Sequence, residues 1–188
     1  MKRVLCSVFL IISLAALVLA HDPRTVAKEF SHTLTIEGAG KLTLSYKSLH
    51  WNAPVYAQAK ANDQLRQRLN AGVWKKIGKL DTDFEVVIGG TAVPKGSYDL
   101  GISFGKADDF ALLLRGGGKE LSIPLKTTAD SPDVTYLSLD LRPASDTDSF
   151  IFEGRSGKFS CVADVKVPYL APHEHAADGT AKSPEKKP

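Results

Sequence analysis

Apolar and polar residues alternate along most of this chain, with a period of two. Tyr98, Leu100, Ile102 and Phe104 fall on one face, and Ser97, Asp99, Gly101 and Ser103 on the other. That alternation marks a strand buried on one side and wetted on the other. It recurs in Phe30–Ile36, in Leu42, Leu44 and Tyr46, in Phe110, Leu112 and Leu114, and in Leu121, Ile123 and Leu125. Leu137, Leu139 and Leu141, then Phe150 and Phe152, then Phe159 to Val167, complete the series. Turn chemistry separates the runs: Gly38-Ala39-Gly40, Gly89-Gly90, Pro94 with Gly96, Gly116-Gly117-Gly118, and Gly154-Arg155-Ser156-Gly157. The stretch Thr82–Gly105 is read as a central hairpin on which the other strands are built.

One stretch breaks the period. Ala53–Ala71 is rich in strong helix formers, with Asn52 placed to cap it, Pro54 in its first turn and Gly72 to end it. Its apolar stripe (Tyr56, Ala59, Leu65, Leu69) is thin, so the expectation is one short helix lying on the surface of the sheet. Val73-Trp74 follows, with Trp74 expected in the core. Many short strands and a single helix predict an all-β fold, an antiparallel β-sandwich or jelly-roll-like domain over residues 30–170.

The two ends differ in composition from this domain. Lys2 and Arg3 precede an apolar run from Val4 to Leu19, and small residues close it, which reads as a signal peptide over 1–20 cleaved after Ala20. The run is shorter than the roughly 20 residues of a spanning helix, so no membrane span is expected after cleavage. Residues 21–29 form a leader, and 171–188, without a large apolar residue, read as a disordered tail. The expected destination is beyond the cytoplasmic membrane, periplasmic or extracellular. The formal net charge is +3, and Lys2 and Arg3 fall within the cleaved segment, so no nucleic-acid partner is indicated. With Cys6 removed, Cys161 is the one remaining thiol, on an apolar strand face, and reads as buried and inert.

The segment Gly90-x-x-Val93-Pro94-x-Gly96-x-Tyr98-x-Leu100, preceded by Phe84-Glu85-Val86, resembles a bacterial exported family known only as domain of unknown function twenty-nine eleven. Leu44-Ser45-Tyr46 and Val73-Trp74-Lys75 extend the likeness over about Leu34 to Tyr169. The resemblance implies a secreted β-rich domain without an assigned activity, and it supplies no catalytic residues. Where that family has a T-G-A-N-E-A-T run, this chain has Lys75 to Asp81, so a ligand site carried by that run would be altered here.

Candidate chemistry is sparse. His50-Trp51-Asn52, with Tyr56 and Trp74 nearby, offers imidazole, indole, amide and phenol groups suited to a small polar ligand or a glycan. The plainer reading puts Trp51 under the helix and His50 at the rim. Cleavage after Ala20 would make His21 the first residue. Its amine and imidazole, with His32 or His50, could hold copper in a histidine brace like that of lytic polysaccharide monooxygenases. His32 otherwise shares parity with Phe30 and Leu34, which predicts a core histidine bonded to backbone. His173 and His175, Asp146 and Asp148, and Asp108 and Asp109 lack the further ligands of a built metal site. No phosphate loop, nucleophile elbow or catalytic triad is present, and no catalytic residue is assigned. The expected role is therefore a non-catalytic envelope protein binding a small molecule, glycan or partner protein. The alternative is a copper-dependent oxidoreductase.

Overall fold

The computed structural model describes residues 28–129, 131–144 and 149–168. The residues read as a signal peptide, His21, Asp146, Asp148, and the C-terminal stretch with His173 and His175 lie outside the described residues. No helix among the described residues is long and apolar enough to cross a membrane.

The fold is antiparallel β with two short helices. Strands β1 (Glu29–Ile36) and β2 (Gly40–Lys47) form a hairpin, followed by helices α1 (Ala53–Ala61) and α2 (Asp63–Ala71). The chain continues through β3 (Gly78–Thr82), β4 (Val86–Ile88), β5 (Thr91–Val93), β6 (Gly96–Phe104) and β7 (Phe110–Gly116). It closes with β8 (Lys119–Thr128), β9 (Val134–Pro143), β10 (Ser149–Gly157) and β11 (Phe159–Lys166). Nine strands follow one path, β1-β2-β3-β6-β7-β8-β11-β10-β9, and β4 branches off β11 with β5 beside it. β8 is the corner. Its first part pairs with β7, while Lys126, Thr127 and Thr128 pair with β11.

The path curls almost into a barrel. Beyond β2, Leu49–Trp51 pairs with β9: Leu137 N–H donates to the Leu49 carbonyl and Trp51 N–H to the Thr135 carbonyl, both at 2.8 Å. Further along, no backbone ladder joins β1 to β9 among the described residues. The inward faces fill one core, in which Leu42, Leu44, Leu100, Leu114, Ile123 and Val165 are wholly buried. The alternation forecast for Tyr98–Phe104 holds, since all four apolar positions are buried.

Three local expectations fail, each for a physical reason. The helical stretch breaks in two at Asn62, which sits in extended conformation. Its side-chain oxygen caps α2 through Leu65 N–H, while its own N–H ends α1 on the Gln58 carbonyl. An asparagine that satisfies both helix ends favours the break over continuation. The Thr82–Gly105 stretch is not one hairpin. β4 turns tightly at Gly89-Gly90, both at positive φ, into β5, and β4 pairs with β11. β6 instead pairs with β3 and β7. Finally, β10 runs through Gly154 and turns only at Gly157-Lys158.

Candidate ligand-binding cleft

The helices sit against the curled sheet near the end of β6, held there by specific bonds. Asn52 Oδ1 accepts from Val55 N–H at 3.0 Å and starts α1, with Pro54 in its first turn, as the sequence forecast. Asn70 clamps α2 to the end of β6: its amide donates to the Phe104 carbonyl at 2.9 Å, and its oxygen accepts from Phe104 N–H at 3.2 Å.

Under α1 lies a pile of aromatic rings. Tyr56 packs on Trp51 at 4.6 Å, Phe104 at 4.9 Å, Phe159 at 5.4 Å and Phe110 at 6.1 Å between ring centroids. Trp74 meets Trp51 edge-on at 6.2 Å. The Tyr56 hydroxyl donates to Asp108 Oδ1 at 2.9 Å, and Lys60 pairs with the other carboxylate oxygen. Burial, reinforced by the Asp108 hydrogen bond and charge, pushes the Tyr56 phenol well above its ordinary range. The Lys60 hydrogen bond holds the Asp108 carboxyl below the usual carboxylate range. Burial pushes the Cys161 thiol, at the base of the pile, up to about 11.

Above the rings opens a cleft of about 420 Å³. Trp51, Tyr56 and Phe159 form its floor, and Asp133, Thr135 and Lys158 stand at its rim. Its walls are tied together. Ser131 N–H donates to the Lys158 carbonyl at 3.1 Å, and Arg155 Nη2 donates to the Pro132 carbonyl at 3.2 Å. Gly157 lies directly beneath the indole: a Cβ there would stand 2.3 Å from Trp51 Nε1, and its φ is +57°. Glycine is what lets the indole come this close to the turn.

Of the residues singled out from sequence, the structure brings Trp51, Tyr56 and Trp74 together. His50 points the other way along its strand, exposed, against Tyr136 at 5.4 Å. His32 is not a core residue. Its side chain is 36% exposed, stacked near Tyr46 and 3.4 Å from Asp140 Oδ1. The two imidazoles thus touch positions of β9 four residues apart, about 13 Å along a strand. Among the described residues no group of three or more His, Cys, Asp or Glu could hold a metal ion. Sequence reasoning missed Phe159, Lys158, Asp133 and Thr135. Phe159 carried a signal as an apolar strand residue, whereas the three rim residues come from separate loops and strand starts. No family model, curated protein or solved structure matches the chain.

Proposed function

We propose that this chain is an exported, non-catalytic binding protein of the cell envelope whose ligand lies in the cleft over Trp51. One observation carries the reading: three aromatic rings from separate elements converge on an open cleft with a polar rim. Its volume falls in the ~300–1,000 Å³ range of small-molecule sites. Burial moves the Tyr56 phenol at the cleft floor and the Cys161 thiol in the core beneath still further above neutral pH, so neither is an activated nucleophile. The signal-like first twenty residues and the resemblance of Gly90–Leu100 to an exported family support the location.

Tryptophan emission tests the site. Titration with a panel of metabolites and glycans is expected to shift or quench emission for one class, and Trp51→Phe to remove the response while Trp74 still reports the fold. A flat response to every class ends the reading. For location, the protein recovered from the exported fraction is expected to begin at His21.

A further inference from the structure

Resting on that reading, we infer that the cleft takes a neutral saccharide. The floor rings meet at 43°, 58° and 70°, so no two of them are parallel. A planar aromatic ligand is best held between parallel faces, and the cleft offers none. Trp51 and Phe159 are only half-buried where they line the cleft, and apolar ring surface of that kind is what the C–H face of a pyranose covers. The rim then supplies a donor in Lys158, an acceptor in Asp133 and a hydroxyl that is both in Thr135. Sugar hydroxyls donate and accept in turn, and this mixed set serves both roles.

Charge argues against an anion. The ion pairs of the described residues use neither Lys158 nor Asp133. The single rim cation is offset by a carboxylate at the same rim, which leaves little net field for a phosphate or an acidic peptide. The bonds tying Ser131 to Lys158, Pro132 to Arg155 and Thr135 to Trp51 hold the walls before any ligand arrives. Ordering costs on binding are correspondingly low.

The test uses the full exported chain in three arms. These are neutral oligosaccharides (cello-, xylo-, malto- and chito-series), inorganic and sugar phosphates, and free tryptophan or indole. Neutral oligosaccharides are expected to quench Trp51 emission, with a Kd that changes less than about twofold between low and high salt. Trp51→Ala should weaken that binding by about tenfold or more, and the exposed-rim variants Asp133→Ala and Lys158→Ala by roughly threefold to tenfold each. The rim variants touch no core side chain, so lost binding there reports on the cleft and not on folding. Binding confined to phosphates or indole, or a steep loss with salt, overturns the saccharide while leaving a binding cleft. Silence in all three arms overturns both.

Discussion

Two buried tyrosines mark two different ways this curled sheet is held together. Tyr56 lies in a pile of four neighbouring rings, with its hydroxyl bonded to Asp108 and Lys60 close by. Tyr46 has Phe30 and His32 beside it, both from β1, and its hydroxyl faces Leu139 and Asp140 of β9. Burial raises both phenols. At the helical end, however, the closure is packed interior, whereas between β1 and β9 a few side chains span two strand edges that share no ladder. Stability should therefore be concentrated under the helices, and the seam should be the weaker closure.

The largest contrast comes from removing a ring at each place. Trp74 is 9% exposed and contacts both Trp51 and Phe104. Trp74→Ala is expected to cost about 3–5 kcal/mol, the usual loss for a large buried aromatic. Phe30 is 42% exposed beside Tyr46, and Phe30→Ala is expected to cost less than about 1 kcal/mol. Urea unfolding of the two variants side by side checks this. Comparable losses would mean the seam is packed as tightly as the helical end.

Cys161 sharpens the same contrast through pH. Its folded-state value is raised from 9.0 to about 11. A raised value contributes stability that is complete below the unfolded value and lost as pH rises towards the folded one. Stability should fall between about pH 9 and 11, Cys161 contributing on the order of 2 kcal/mol and the raised Tyr46 and Tyr56 phenols adding to the loss above about pH 10, so Cys161→Ala should make that limb shallower. Asp108 works with the opposite sign. Its folded value is depressed, so its contribution is present above the ordinary carboxylate range and lost as pH falls below about 4. Asp108→Asn should cost about 1 kcal/mol at neutral pH and make the acid limb shallower. Asparagine tolerates the backbone φ of 59° found there, so the variant isolates the charge.

The all-β class was legible because the period of two runs through nearly every strand. The caps of Asn52 and Gly72 were legible because side-chain type alone nearly decides them. Strand pairing was not. Nothing local says that β4 leaves the β3–β6 neighbourhood for β11, since that choice depends on the curvature of the whole sheet. At the cleft, Trp51 and Tyr56 declared themselves as aromatics near a forecast helix, whereas Trp74 lies in the core beside them and does not line the cleft. Asp133 and Lys158 looked like any loop charges, and only the clasp between the β8–β9 loop and the β10–β11 turn puts them at one rim. His32 misled because parity on an edge strand does not guarantee burial: with no ladder beyond β1, its side chain stays 36% exposed.

The smallest effect is the most diagnostic for the seam. Asp140 Oδ1 accepts the Leu141 N–H at 2.8 Å and lies 3.4 Å from His32 Nδ1, with side chains 50% and 36% exposed. A contact so exposed contributes less than about 1 kcal/mol, so neither His32→Ala nor Asp140→Ala should move the unfolding midpoint much. The two variants should still differ. Asp140→Ala frees an edge-strand amide that the carboxylate now occupies, so hydrogen exchange at Leu141 should speed up while β6 and β7 stay unchanged. The free edge of β9 then becomes a template for another strand, and concentration-dependent association should rise. His32→Ala removes the imidazole beside Asp140 but leaves the Leu141 bond, and exchange there should stay near the parent rate. If both variants accelerate Leu141 equally, the carboxylate is not what guards that edge, and the closure between β1 and β9 must come from packing after all.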